Sequence, residues 1–150
     1  MAAPKLHPKE EQRLEILRDL QIFDTPTEES FDHIALIASQ ICETPIAVIS
    51  LVDRNRQWFK AKVGLGASET SRDVSFCGHA ILESEIFEVT DARADVRFRD
   101  NPLVTSNPNI AFYCGAQILD RSTQLPLGTV CVIDQKPKKL TEPQKEALKA

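Results

Sequence analysis

The triplet Cys77-Gly78-His79 combines a thiol and an imidazole, two side chains suited to nucleophilic or metal chemistry. A nearby imidazole or a helix N-terminus favours the thiolate and makes a cysteine reactive. Free cysteine is, however, among the most buried residue types in proteins. We therefore expect a packed Cys77 and a His79 that hydrogen-bonds across its loop. A reactive or ligand-binding thiol at Cys77 is the alternative.

Metal binding needs three or four ligands, and this triplet supplies two. Cys114 would be a third only if its strand lay beside the triplet, and no sequence spacing supports that arrangement. We predict no metal site and no catalytic set of nucleophile, base and orienting residue.

The segment 91–109 is long and carries alternating arginines and aspartates. Guanidinium groups bind planar anions well, so Arg93, Arg97 and Arg99 could bind a carboxylate or phosphate. From this segment Asp91, Arg97 and Asn101 are the candidate ligand-binding residues. The alternative is a loop held together by local ion pairs, which add only about 0–1 kcal/mol each when exposed. Long loops in compact domains are usually functional, which keeps the segment among the candidates.

Length and composition exclude several classes of protein. The 150 residues are 42% apolar, which suits one domain with its own core, and the net charge is −4. Nucleic-acid binders usually show a concentrated basic face, so none is predicted here. No apolar run is long enough to span a bilayer and the N-terminus has no signal peptide, so we expect a cytoplasmic protein without membrane contact. The four cysteines are then expected to be reduced.

Helical spacing predicts one helix after Pro8, a second over 27–42 and a third from Thr141. The run PIAVISLVD is typical of a buried central strand, followed by QWFKAKVG, in which Phe59, Ala61 and Val63 alternate with more polar residues. Segment 64–75 is predicted as a loop. FCGHAILES is predicted as a short helix, and IFEVT, IAFYCGAQILD and LGTVCVID as strands. Strands in hairpins with helices at the ends indicate an α+β fold with an antiparallel sheet.

The boundaries predict a single domain over 1–150. We expect residues 1–8 to form a flexible tail, and we expect the last helix to be truncated at Ala150, since it carries no C-terminal stop signal.

Five segments in order, from LRDLQIFDTPTEESFDHIALIASQICETPIAVISLVDRNRQWFKAKVGL through SFCGHAI, VTDARADVRFRDNPLV and IAFYCGAQI to LGTVCVID, resemble a GAF domain. More narrowly, they are similar to the N-terminal sensory GAF modules of bacterial histidine kinases and diguanylate cyclases. The resemblance covers roughly residues 11–150.

This resemblance implies a central antiparallel sheet of five or six strands, with the terminal helices on one face. Loops and short helices would close over a small-molecule pocket on the other face. The aromatics Phe76, Phe98, Phe112 and Tyr113 would then line or border the pocket. Neighbouring strand residues face opposite ways, so only one of Phe112 and Tyr113 can face it.

The resemblance also implies a homodimer through the N- and C-terminal helices and an output domain outside this chain. Related bilin-binding domains place the attaching cysteine directly before a histidine, whereas Gly78 intervenes here. We therefore predict no cofactor, neither bilin nor haem. Free methionine sulfoxide reduction uses loop cysteines, whereas Cys114 and Cys131 fall in apolar strands.

We predict a non-enzymatic, ligand-binding sensory domain of a bacterial signalling protein. Two alternatives stay open at this point: a dimerisation module that binds no ligand, and a thiol redox sensor or free methionine sulfoxide reductase-like enzyme in which Cys77 acts with Cys114.

Overall fold

A computed structural model describes residues 3–83 and 85–149 of the chain. Its helices are α1 (Glu10–Leu20), α2 (Glu29–Cys42), α3 (Phe76–Ala80), α4 (Pro102–Thr105) and α5 (Glu142–Lys149). Its strands are β1 (Ile46–Val52), β2 (Arg56–Val63), β3 (Glu69–Ser71), β4 (Ile86–Val89), β5 (Phe112–Leu119) and β6 (Pro126–Asp134). Short 3-10 turns lie at Arg72–Val74 and Ala92–Ala94.

The six strands form one antiparallel sheet in the order β3-β2-β1-β6-β5-β4. This is the α+β, six-stranded arrangement expected from the sequence. β1 is buried along its whole length because it lies in the middle of the sheet with elements packed on both faces.

Helices α1, α2 and α5 cover one face of the sheet, which we call the helix face. Their apolar residues pack on odd-numbered residues of β1, such as Ala47, Ile49 and Leu51. The opposite face carries α3, α4 and the two 3-10 turns, and we call it the loop face. Its core includes Val48 and Val52 of β1.

Two segments predicted as loops contain regular structure. Residues 64–75 include β3, which pairs with β2 from Arg56 to Trp58, and a 3-10 turn capped by Ser71. The 91–109 segment includes a second 3-10 turn and α4. These elements are only three or four residues long, so no periodic apolar pattern in the sequence marks them. The second helix begins at Glu29 rather than at residue 27.

The predicted alternation of β2 is wrong. The pairing of β1 with β2 shifts register between Ile49 and Ser50, which pair with Ala61 and Phe59 and leave Lys60 as an extra residue. Such a bulge moves all later side chains to the other face. Phe59 therefore faces the loop-face core, whereas Ala61 packs under α2.

The N-terminal segment before α1 contacts the loop face. A Cβ built at Gly78 would lie 2.7 Å from Cγ of Pro4, so Pro4 packs directly on α3. Met1, Ala2 and the last residue, Ala150, lie outside the described residues, as do the expectations that concern them.

Candidate functional site

The loop face holds a small cavity between the sheet and the segments that cross it. Its volume is about 90 Å³. Its wall is formed by the side chains Val48, Gln57, Phe59, Leu65, Thr70, Phe76, Cys77, Leu103, Asn107, Pro108, Ile110, Tyr113, Cys131 and Ile133, with Gly66 and Ala67. Gly66 and Ala67 are exposed, so the cavity extends from the buried sheet to the surface.

Strand alternation separates the two aromatics of β5. Tyr113 belongs to the loop-face core and lines the cavity, whereas Phe112 packs on the helix face with Cys114 and Val132. Phe112 is therefore not a cavity residue, and its place among the candidate ligand-binding residues is corrected here. Tyr113 lies among Phe76 and Phe87, with ring centroids 5.2 and 6.1 Å away.

A buried polar cluster forms one wall of the cavity. Cys77 Sγ lies 3.2 Å from the Tyr113 hydroxyl and 3.1 Å from Thr129 Oγ1, and the two hydroxyls are 3.4 Å apart. Cys131 packs in the same core and lines the same cavity as Cys77. The start of α3 thus meets β5 and β6 through polar side chains inside an apolar core.

The absence of a side chain at Gly115 leaves room for the Tyr113 hydroxyl. A Cβ built at Gly115 would lie only 2.4 Å from that hydroxyl, because residues two apart in a strand point to the same face. Without a side chain at position 115, the Tyr113 ring leans along the strand. Its hydroxyl then reaches Cys77 and Thr129.

The four cysteines form two pairs on opposite faces of the sheet. Cys77 meets Cys131 on the loop face, whereas Cys114 lies in the helix-face core with Cys42. The alternative in which Cys77 acts with Cys114 is therefore wrong in its second cysteine, because Cys114 follows Tyr113 directly and packs on the other face of the sheet. Residues 129, 131 and 133 share the loop face of β6, which places Cys131 beside Cys77.

The two pairs also differ in acidity. Burial raises the pKa of Cys77. The polar side chains of Cys131, Thr129, Tyr113 and Ser50 lower it by more, so the pKa falls below that of an ordinary cysteine. The pKa of Cys131 is raised by its hydrogen bond to Cys77 and by burial. On the helix face, burial raises the pKa of Cys42, and burial with the nearby Glu88 carboxylate raises that of Cys114 to about 12.

Aromatic rings fill much of the loop face beside the cavity. The Phe76 and Phe98 rings stack at 4.2 Å, and His79 meets the Phe98 ring edge-on at 4.9 Å. Arg97 lies over Phe87 and Phe98, with its guanidinium carbon 5.1 Å from each ring centroid. Phe76 lines the cavity itself, whereas Phe98, His79 and Arg97 form a layer behind it.

The charged part of segment 91–109 is held by local ion pairs. Arg93 and Asp91 approach to 2.9 Å, and Arg97 and Asp95 to 2.8 Å. Each aspartate also accepts a hydrogen bond from the backbone N–H of its arginine. These pairs match the second of the two interpretations of the segment, and neither Asp91 nor Arg97 lines the cavity.

Asn101 joins two segments of the loop face. It is buried, donates from Nδ2 to the Val74 carbonyl at 3.0 Å and accepts at Oδ1 from the backbone N–H of Leu103 at 2.9 Å. It therefore caps α4 and positions the chain just before α3. Gln57, Thr70 and Thr129 were missed by the sequence reasoning, because they stand in strands with no distinguishing motif.

The helix face carries a larger groove of about 450 Å³ between α2 and α5. Ile34, Ile37 and Ile41 of α2 line it and are 42–52% exposed. Three isoleucines on one helix face, spaced by three and four residues, form an apolar surface of the kind that marks protein interactions.

The described part of the chain, 3–83 and 85–149, contains neither a metal-binding cluster nor a membrane-spanning helix. No group of three or more His, Cys, Asp or Glu residues there is arranged to bind a metal ion. No helix in these segments combines the length and apolar character needed to cross a bilayer.

Comparison with known families identifies the fold. The GAF domain family matches residues 26–150, most of the chain. The chain belongs to the GAF domain family. A cyclic di-GMP phosphodiesterase of Pseudomonas aeruginosa is 44% identical over 138 residues, which are 92% of this GAF domain but only 23% of the relative. The chain therefore spans about a quarter of that protein.

Solved GAF domains share the architecture at low sequence identity. The GAF domain of an Acinetobacter phosphoenolpyruvate-protein phosphotransferase matches 91% of this chain and 85% of its own, with a TM-score of 0.64 and 18% identity. A phycocyanobilin-bound GAF domain of a cyanobacterial phytochrome matches 95% and 88%, with a TM-score of 0.62 and 11% identity. These matches show the shared fold of a domain found in bacterial signalling proteins, where GAF domains are typically regulatory rather than catalytic.

Proposed function

We propose that this GAF domain is a sensory module that binds a small molecule in the loop-face cavity and controls an output domain of the same protein. The observation that carries this proposal is the cavity itself, which joins buried polar groups at Cys77 and Tyr113 to exposed Gly66 and Ala67. Mostly apolar walls with a few placed polar groups are the common form of a small-molecule site.

The size of the cavity limits the ligand. A volume of about 90 Å³ takes only a few non-hydrogen atoms. Apart from the cysteines, the polar side chains that line the cavity are neutral: the Gln57 and Asn107 amides and the Thr70 and Tyr113 hydroxyls. A small, uncharged molecule with hydrogen-bonding groups suits them best.

A continuous set of contacts runs from the cavity to α1. Cys77 lies two residues after Ser75. The Ser75 hydroxyl accepts a hydrogen bond from the Gly78 N–H and donates one to the Arg72 carbonyl. Arg72 in turn binds Glu10 in the first turn of α1. A ligand that preferred one position of α3 would therefore shift α1, by no more than its differential affinity for the two positions.

We propose that the helix face forms the homodimer. The expected contact through the terminal helices is supported by the location of α1 and α5 on this face, and the exposed isoleucines of α2 extend it. The output domain would then be driven by rearrangement of this helical interface. Because the Pseudomonas relative is a cyclic di-GMP phosphodiesterase, we include cyclic di-GMP turnover, beside kinase activity, among the outputs proposed for the full protein.

A dimerisation module without a ligand is the second candidate. The stacked Phe76 and Phe98 rings occupy space beside the cavity and leave only its small volume, which favours this alternative. The two candidates differ in one property: only the sensory module binds a molecule in the cavity, and this binding stabilises the folded domain.

The ligand test compares native and denatured mass of the purified domain and of two rim variants. Ala67→Trp places a large side chain at the cavity mouth, whereas Ser68→Trp is the matched control on an exposed neighbour that does not line the cavity. We expect a bound mass that is retained in Ser68→Trp and lost in Ala67→Trp. Bound mass that Ala67→Trp retains, or none in any protein, would count against ligand binding in this cavity.

The dimer test is sedimentation of Ile37→Glu against Val96→Glu. Both residues are exposed, but Ile37 lies in the helix-face groove and Val96 on the loop face. We expect Ile37→Glu to weaken the dimer and Val96→Glu to leave it unchanged. A monomeric parent protein would contradict the dimer for this chain.

A further inference from the structure

We propose that Cys77 and Cys131 form a peroxide-responsive dithiol, which closes to an intramolecular disulfide between α3 and β6. Both cysteines line the loop-face cavity and pack in the same core, and Cys77 Sγ lies 3.1 Å from Thr129 Oγ1, two residues from Cys131 in β6. This proposal concerns the thiols themselves and holds whether or not the cavity takes another ligand.

The two thiols share one polar cluster on the loop face. Cys77 Sγ has two hydroxyl neighbours, Tyr113 and Thr129, at 3.2 and 3.1 Å, and Cys131 lines the same cavity wall. Donors around a sulfur stabilise the thiolate, which is the nucleophile in thiol oxidation. Burial raises the pKa of the Tyr113 hydroxyl well above its usual range, so this group keeps its proton and stays a donor.

The cavity gives small oxidants access to both thiols. Cys77 and Cys131 are 3% and 2% exposed to solvent, but both border a cavity that extends to exposed Gly66 and Ala67. Hydrogen peroxide is only slightly larger than water and fits a space of about 90 Å³. Larger thiol reagents do not fit there, so the site selects for small hydroperoxides.

The two cysteines on the helix face have different surroundings from those on the loop face. Cys42 and Cys114 are also buried neighbours, but they lie in the helix-face core. Cys114 is completely buried and its pKa is raised to about 12, so it remains a thiol. Buried thiols of this kind are inert. The protein therefore contains an internal control for the proposed reaction.

The chemistry balances with a hydroperoxide as the oxidant. The Cys77 thiolate attacks one peroxide oxygen, the O–O bond breaks, and hydroxide leaves while Cys77 becomes a sulfenic acid. The Cys131 sulfur then displaces the sulfenic oxygen as water, with loss of the Cys131 proton, and the S–S bond forms. Overall, two thiols and one hydrogen peroxide give one disulfide and two waters.

Closure would alter the cavity wall. The Tyr113 and Thr129 hydroxyls would lose the Cys77 thiol as a partner, and α3 would be tied to β6. Because Arg72 and Ser75 connect the start of α3 to α1, the oxidised and reduced domains would hold that helix differently.

The test treats the fully reduced domain with excess hydrogen peroxide and then alkylates it under denaturing conditions. Trypsin separates the four cysteines, since Arg or Lys residues lie between each of them. We expect one cross-linked pair of peptides containing Cys77 and Cys131, alkylated Cys42 and Cys114, and loss of the cross-link when the denatured protein is treated with dithiothreitol. Four alkylated cysteines, an intermolecular disulfide, or Cys77 oxidised beyond sulfenic acid without a cross-link would overturn the proposal.

Two variants test the second thiol, Cys131, and the Tyr113 hydroxyl separately. In Cys131→Ser, Cys77 is expected to stop at the sulfenic acid, which adds one oxygen to the mass. In Tyr113→Phe, which keeps the ring, we expect the same disulfide to form at least about tenfold more slowly. Fluorescence of Trp58, the single tryptophan, shows whether each variant is folded. An unchanged rate in folded Tyr113→Phe would overturn the role of the hydroxyl, and a disulfide of Cys77 with any cysteine other than Cys131 would overturn the pairing.

Discussion

Arg72 binds Glu10 across 62 positions of the chain, and the two buried side chains join the 3-10 turn before α3 to the first turn of α1. Arg72 Nη2 lies 3.1 Å from Glu10 Oε1, and Arg72 also donates to the Asp53 carbonyl. Arg13, fully buried, pairs with the same carboxylate and donates to the Val52 carbonyl at 2.7 Å. One carboxylate thus holds two guanidinium groups at the C-terminal end of β1.

Replacing Glu10 by Gln should destabilise the domain by about 3 kcal/mol, because it leaves Arg13 and Arg72 buried without their counter-charge. Urea unfolding followed by Trp58 fluorescence measures this loss. Glu11→Gln is the matched control, since Glu11 pairs with Arg54 on the surface and should cost less than about 1 kcal/mol. Equal losses in the two variants would contradict the role of the buried network.

The same carboxylate predicts a pH dependence. Burial raises the pKa of Glu10, but hydrogen bonds from Arg72 and Arg13 outweigh it and lower the pKa from 4.5 to about 2. The folded pKa is depressed, so the stabilisation is present above pH 4.5 and is lost as the pH falls from there toward 2. Unfolding free energies measured across this range should fall more steeply for the parent protein than for Glu10→Gln. Parallel pH curves would contradict the prediction.

Replacing Gly115 by Ala should displace the Tyr113 hydroxyl, because the new Cβ would lie 2.4 Å from it. We expect a loss of about 1–3 kcal/mol, as for overpacking in other cores. Gly66→Ala is the control, since a Cβ there has no atom within 4 Å. Thermal unfolding of both variants measures the difference, and an unaffected Gly115→Ala would show that Tyr113 does not depend on this space.

Variants of Lys60 distinguish the contribution of its aliphatic stem to stability from that of its ammonium group. Its side chain is buried, its ammonium lies 2.7 Å from the Pro26 carbonyl and 2.6 Å from Glu28, and it faces the Phe31 ring at 5.6 Å. Pro26 and Glu28 are exposed, so water can replace the ammonium. We expect Lys60→Met to cost less than about 1 kcal/mol and Lys60→Ala about 2–4 kcal/mol, because only the second leaves a void.

Chemical denaturation compares these two variants with Lys62→Ala, whose exposed side chain should contribute less than about 0.5 kcal/mol. If Lys60→Met were as unstable as Lys60→Ala, the ammonium rather than the aliphatic stem would be the important part.

Glu43 ends α2 in the left-handed region, with φ of 54°. Glycine adopts this conformation without the steric cost that a Cβ carries. We expect Glu43→Gly to stabilise the domain by about 0.5–1 kcal/mol, measured as a rise in the melting temperature. Gln40→Gly, within the same helix, should lower it by a similar amount.

Periodicity predicted most of the fold. The run from Ile46 to Val52 is apolar on both faces and is the buried strand expected. The helices of the two chain ends were located to within about two residues, because caps such as Thr141 are readable from sequence. Thr141 indeed accepts from the Gln144 N–H, and the Gln144 side chain accepts from the Thr141 N–H.

Features that depend on strand register were not predictable. The bulge at Lys60 reverses the faces of Phe59 and Ala61, and no local signal marks it. Phe112 and Tyr113 were known to face opposite ways, but which one faced the cavity required the register of β5 against β6. The same register places Cys131, rather than Cys114, beside Cys77.

The single sheet also acts as a wall between two thiol compartments. Cys77 and Cys131 lie on one side and Cys42 and Cys114 on the other, with β1, β5 and β6 between them. In the folded chain, thiol exchange between the compartments is blocked by the backbone itself. A disulfide that joins Cys77 to Cys114 would therefore be a lasting chemical record that the molecule had been unfolded when it formed.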